Sequence, residues 1–196
     1  MFESAELGHK IDKATYDKEV PALREALLEA QLDLAKAANF QVVILIGGVD
    51  GAGRGETVNL INEWMDPRHI QSHGMGIPSD EELERPIMWR FWRALPPKGK
   101  IGIFLGSWYT WDILNRVFNR IKNAELDQSM DRNVRFEKML NDEGALVIKF
   151  WLHLSKDKQE KRLKAMEKNP KTRWRVTERD WVHFKMYDKF RKVAER

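Results

Sequence analysis

The 196-residue chain contains no cysteine, which removes disulfide scaffolds and thiolate metal centres and fits a reducing compartment. It also lacks long hydrophobic runs. Residues 42–46 (Val-Val-Ile-Leu-Ile) with their flanks are the longest, far short of the ~20 apolar residues that a membrane-spanning helix requires. The opening Met1-Phe-Glu-Ser-Ala-Glu6 has neither the basic start nor the apolar stretch of a secretory signal. No repeat, low-complexity tract or linker composition is visible. The sequence therefore reads as a cytoplasmic protein with no membrane partner, and its 42% hydrophobic positions suffice for the core of one ordinary domain.

What is present is unevenly distributed. Residues 145–196 hold sixteen Lys/Arg against seven Asp/Glu, a balance of +9, so the first 144 residues carry −5 of the overall +4. A basic segment of this kind is either a solvated helix face or a landing site for a polyanion. The eight tryptophans are scattered along the chain, which suits core packing for most of them.

Periodicity gives an α/β reading. Val20, Leu23, Leu27, Leu32 and Leu34 among strong helix formers predict an amphipathic helix over 15–39. Residues 41–46 form a continuous β-branched run, the pattern of a strand buried on both faces of a parallel sheet. It leads into Gly47-Gly48-Val-Asp50-Gly51-Ala-Gly53-Arg54-Gly55, after which Thr57, Val58, Leu60, Ile61 and Trp64 resume a helical period. Residues 69–84 read as a polar connection punctuated by glycine and proline. A helix through 89–92, a second strand at 101–105, a helix from Tyr109 to about Lys122, a helix containing Phe136, Met139 and Leu140, and a third strand at 145–152 follow. Ser155 can cap a basic helix over 156–168, and Thr177 to Asp180 has the spacing of a capping box. Strands alternating with helices predict a three-layer fold with a central parallel sheet.

A glycine-rich turn between a buried strand and a helix is suited to phosphate, because glycines let backbone N–H groups converge and the helix N-terminus adds its positive end. Gly48-x4-Gly53-Arg54-Gly55 nearly completes a Walker A loop, with Arg54 where Lys is expected and Gly55 where Ser or Thr is expected.

These residues, with Trp64-Met-Asp-Pro67-Arg68, Asp80 to Glu84 before Trp89-Arg90, Phe104-Leu-Gly-Ser107-Trp108-Tyr109, Lys149-Phe-Trp-Leu-His153 and Arg173-Trp174, resemble the polyphosphate kinase 2 family in the same order over most of the chain. The likeness is nearer still to the N-terminal half of its two-domain polyphosphate:AMP phosphotransferases. The resemblance implies a P-loop kinase fold related to thymidylate kinase and Mg²⁺-dependent phosphoryl transfer from polyphosphate to AMP or ADP. It also implies a basic helical lid over 155–196 closing on a core of about 41–153, a homo-oligomer and a second catalytic domain of the same family.

On this sequence the resemblance assigns Asp50 and Arg54 to catalysis, with Asp50 also a metal ligand. Gly48, Gly51, Gly53, Gly55, Thr57 and Arg68 are assigned to phosphate, Lys161, Arg162, Lys164 and Arg173 to the polyphosphate chain, and Arg90 and Trp108 to the nucleotide. Three departures stand beside these matches. The family's second aspartate falls on Leu105 and the arginine after it on Gly106, and a basic residue early in the loop helix falls on Asn59. A leucine cannot ligate Mg²⁺ and a glycine cannot clamp a phosphoryl group, so the half-domain is expected to be weakly active or a silent module supporting an active partner domain.

Other readings are less favoured by the residues. The five histidines lack metal spacing, and His153, just after a strand, reads as a packed, hydrogen-bonded residue. Ser107 has no nucleophile-elbow surroundings. The basic segment carries no helix-turn-helix, zinc-finger or RNP signature, which argues against nucleic acid.

Overall fold

The computed structural model describes residues 2–196. In order, its elements are α1 (Glu3–Glu6), α2 (Lys13–Ala37), β1 (Val42–Gly48), α3 (Arg54–Trp64), β2 (Ile70–Gly74), α4 (Asp80–Leu83), α5 (Trp89–Ala94) and β3 (Ile101–Leu105), then α6 (Trp108–Val117), α7 (Asn123–Asp142), β4 (Leu146–Leu152), α8 (Lys156–Lys168), α9 (Glu178–Lys185) and α10 (Tyr187–Glu195). The four strands form one sheet in the order β2-β3-β1-β4, and all pairs are parallel.

Alternation along β1 feeds two cores. Val42, Ile44 and Ile46 join Ile101, Ile103 and Ile70 under α2 and α3, which contribute Leu34 and Val58. Val43 and Leu45 face the other way with Phe104, under Phe91, Trp108, Phe136 and Leu140 from α5, α6 and α7. The result is helix, sheet, helix. Full burial of Phe104, Ile46 and Ile103 stabilises by about 1.5–3 kcal/mol each, which explains why the central strands were legible as apolar runs.

Several expectations need correction. The connection over 69–84 contains a strand, β2, which lies at the edge of the sheet and buries only Ile70. The helix expected to reach Lys122 stops at Val117, where Asn119 takes a left-handed conformation (φ 55°) before α7 begins. The apolar positions of α2 do not form one buried face: Leu34 is buried, whereas Leu23, Leu27 and Leu32 are exposed. Ser155 occupies the N-cap position of α8, but its hydroxyl makes no cap bond. The capping box of α9 is present, with Asp180 Oδ2 accepting from the Thr177 N–H at 2.7 Å. The basic helix spans Lys156–Lys168, the interval read from the sequence.

Candidate functional site

The loop after β1 begins where glycine is obligatory. Gly48 has φ +141°, and a Cβ there would lie 2.1 Å from the Leu152 carbonyl oxygen of neighbouring β4. That close approach lets the Val49 N–H donate to Leu152 O at 3.0 Å, so the strand end and the loop are fixed together. Gly51 and Gly53 also take positive φ, and Gly53 is the left-handed N-cap of α3. Gly55 lies in the first helical turn, where neither its N–H nor that of Arg54 has a backbone acceptor among the described residues. Such first-turn donors, with the positive end of the helix dipole, suit an anion.

Asp50 and Arg54 face each other. Arg54 Nη2 donates to Asp50 Oδ1 at 2.5 Å, and His183 Nδ1 from α9 pairs with Asp50 Oδ2 at 2.7 Å. Burial pushes the Asp50 carboxyl up, but the His183 hydrogen bond and the positive charges of Arg54, His183 and Arg179 outweigh it and hold the group below its usual range. The Asp50 carbonyl accepts from Gln159 Nε2 of α8 at 2.8 Å. Leu163 of the same helix lies against Gly51. Farther along α3, Glu56 takes Arg175 at 2.6 Å, with Arg162 at 4.0 Å. The basic C-terminal segment is therefore packed down on the glycine-rich loop as a lid, contacting residues 50–56 from α8, the turn at 173–175 and α9.

The remaining expected residues divide. Thr57 lies on α3 beside the loop, but its hydroxyl donates to Gly53 O at 3.0 Å, within its own helix. Lys161, Arg162, Lys164 and Arg173 lie on the exposed side of the lid, with Lys164 paired to Glu160. Arg90 stands beyond the carboxyl end of β2, the sheet end that also carries the loop. Its Nη1 donates to Gly76 O at 3.1 Å, Glu82 lies at 3.4 Å, and its Nε is buried without a hydrogen bond.

Two assignments are corrected. Trp108 is 3% exposed and packs edge-on against Phe91 and Phe136, with its indole N–H donating to Glu137 at 3.1 Å. It is a core residue and offers no face to a nucleotide. Arg68 precedes β2, whose first residue pairs with Ile101, itself paired with Val42. It thus lies at the amino end of the sheet, about 20 Å along the strands from Gly48, with its guanidinium on Asp66.

Sequence reasoning missed His183, Gln159, Glu56 and Arg175 as loop partners. His183 is 133 positions from Asp50, and no local pattern could connect them. His153 is packed as expected, with side chain buried, Glu6 at 2.8 Å and Tyr187 at 3.2 Å.

The residues present do not fit Mg²⁺, which requires an octahedral set of oxygens including available carboxylate. Both Asp50 oxygens are engaged, one by Arg54 and the other by His183. Position 105, at the end of β3, is an apolar residue packed against the isoleucine core. Among the described residues no group of three or more His, Asp or Glu could hold a metal ion.

A parallel sheet flanked by helices, with a glycine-rich loop opening α3 and basic helices packed upon it, defines a P-loop kinase fold. The profile of the family described as Polyphosphate kinase 2 matches residues 10–196, and the chain belongs to that family. It is 58% identical over all 196 residues to the polyphosphate:AMP phosphotransferase of Pseudomonas aeruginosa, covering 40% of that protein. It is 30% identical to the AMP/ADP-polyphosphate phosphotransferase of Meiothermus ruber over 88% of this chain and 65% of that one. The crystal structure of polyphosphate kinase 2 from Arthrobacter aurescens superposes with a TM-score of 0.90 at 27% identity, over 96% of this chain and 68% of that one. The chain thus spans about two fifths of the length of the two Pseudomonas polyphosphate:AMP phosphotransferases it matches. Among the described residues no helix is long and apolar enough to cross a membrane.

Proposed function

We propose that this chain is the phosphate-chain-holding domain of a polyphosphate:AMP phosphotransferase, with slow phosphoryl transfer of its own. The observation that carries this reading is the loop of residues 48–55 closed under a basic lid, with its one loop carboxylate paired to Arg54 and His183 and leucine at position 105. Phosphoryl transfer depends on positioning and on neutralising charge with metal and cations. The parts that hold phosphate are retained here, and those that place a metal are reduced. The same observation favours a supporting role beside a second, fully equipped domain of the family in one cytoplasmic protein.

Polyphosphate is the donor in this reading and AMP or ADP the acceptor, with Arg90 at the nucleotide side. Self-association is part of it: the exposed Leu23, Leu27 and Leu28 of α2 give a second copy an apolar stripe to cover. Binding of the phosphate chain is charge-dominated, so it weakens steeply with salt. Titration of the chain with polyphosphate at low and high ionic strength tests this. Salt-insensitive affinity, or affinity unchanged when Lys161, Arg162 and Lys164 are replaced by alanine, would make the basic helix a solvated face only.

A further inference from the structure

Asp50 is the point at which loop and lid meet through charge. One carboxylate oxygen takes Arg54 from the loop's own helix and the other takes His183 from α9, while the carbonyl of the same residue takes Gln159 from α8. The His183 ring is itself wedged against Phe118 and Phe190, with centroids 5.7 and 5.1 Å away. Its nitrogen is therefore aimed by packing and not by a flexible tether. Gln159 is buried, so its amide has no water to exchange for the Asp50 carbonyl. A divalent ion at this carboxylate would have to displace Arg54 and His183 and find its remaining ligands beside Leu105.

We propose that in this chain Asp50 is a lid anchor and not a magnesium ligand: Arg54 and His183 occupy its carboxylate, His183 fastens α9 and Gln159 fastens α8 over the loop, and the site that is left takes magnesium-free phosphate chains. The proposal rests on reading residues 48–55 as a phosphate loop. Charge on the bound chain is met by the remaining guanidinium donors of Arg54 and by the first-turn N–H groups of α3, which need no metal to be oriented. His183 and Gln159 are positioning residues in this scheme, acting through Asp50.

Three measurements on the 196-residue chain test it. Titration with Mn²⁺ as a magnesium surrogate, followed by electron paramagnetic resonance, is expected to find no site, with Asp50→Asn indistinguishable from the unaltered chain. A stoichiometric Mn²⁺ site that Asp50→Asn abolishes would overturn the proposal. Calorimetry with tripolyphosphate is expected to show binding in the presence of a chelator. Binding that appears only when Mg²⁺ is added would overturn the proposal while sparing the phosphate loop. No binding under either condition would remove the phosphate-loop reading itself.

Hydrogen exchange supplies the third readout. His183→Phe keeps the aromatic packing and removes the nitrogen, and His183→Gln serves as a second variant. Both, together with Asp50→Asn, are expected to speed exchange of the α9 amides about ten-fold or more, with the sheet unchanged. Unaltered α9 protection in folded variants would show that the contact anchors nothing.

Discussion

Replacing Trp108 separates a core role from a nucleotide-binding one. The side chain is 3% exposed, with ring centroids of Phe91, Phe104 and Phe136 at 5.5, 5.9 and 4.9 Å. Truncation to alanine removes this packing and leaves a cavity, at a cost of about 3–5 kcal/mol. For a domain of this size that corresponds to a fall of roughly 6–20 °C in melting temperature, and it is a large part of a typical ~5–15 kcal/mol total. Trp108→Phe keeps a ring among its neighbours but loses the indole N–H that Glu137 accepts at 3.1 Å. Glu137 retains Tyr109 at 2.8 Å and Lys149 at 2.8 Å, so the expected loss is only about 1–2 kcal/mol. Thermal melts by circular dichroism and AMP titrations on the same samples provide the comparison. The account requires a stability deficit in both variants and an AMP affinity for the folded Trp108→Phe protein equal to that of the unaltered chain. A Trp108→Phe protein of full stability that binds AMP several-fold more weakly would refute it.

Other perturbations follow from single contacts. Gly48→Ala places a methyl 2.1 Å from Leu152 O at φ +141° and should cost about 3 kcal/mol or more with loss of phosphate binding; a normal melting temperature would contradict the close approach. Restoring the family's arginine with Gly106→Arg meets the Met75 carbonyl at 2.8 Å and a φ of +85°, so this variant should be destabilised. Leu105→Asp alone should lose stability by setting a carboxylate against the isoleucine core, and because Asp50 stays paired with Arg54 and His183, adding Mg²⁺ should not restore it; a thermal shift on adding Mg²⁺ would contradict the account. Asp112 is 3% exposed, and burial pushes its carboxyl up against the opposing pull of Asn133 and Arg132. The folded state thus holds that proton more tightly than the unfolded chain, and stability falls as pH rises from about 4, the unfolded value, through the raised folded value. Asp112→Asn should remove this slope and gain on the unaltered chain between about pH 4 and pH 7, since its amide can donate to the unpartnered Asn133 oxygen. Equal destabilisation at both pH values in urea melts would count against it.

Legibility in the sequence followed burial and sequence distance. The runs at β1 and β3 announced themselves because parallel strands buried beside helices are apolar; β4 was legible from its apolar residues alone, since it lies at the sheet edge and has no buried position. Strand β2 did not, because Gln71, Ser72 and His73 belong to an edge strand whose side chains need not be apolar. The glycine-rich loop was legible because its backbone demands are local. Its partners were not: His183, Gln159 and Arg175 reach it from more than a hundred residues away. Motif likeness placed Trp108 and Arg68 at the site because it carries order along the chain and not depth or strand end. Helix α2 misled for a similar reason, since a 3.6-residue apolar period shows that a face exists but not that this domain covers it.

The central claim is that this domain holds a phosphate chain while lacking the parts that make transfer fast. Its most direct test is the initial rate of phosphoryl transfer from polyphosphate to AMP, with Mg²⁺ present, for the purified 196-residue chain beside the full-length Pseudomonas aeruginosa polyphosphate:AMP phosphotransferase. Missing metal and clamp groups typically cost several kcal/mol of transition-state stabilisation. The account therefore predicts a rate at least ~10²-fold lower, with tripolyphosphate still bound. Equal rates would contradict it.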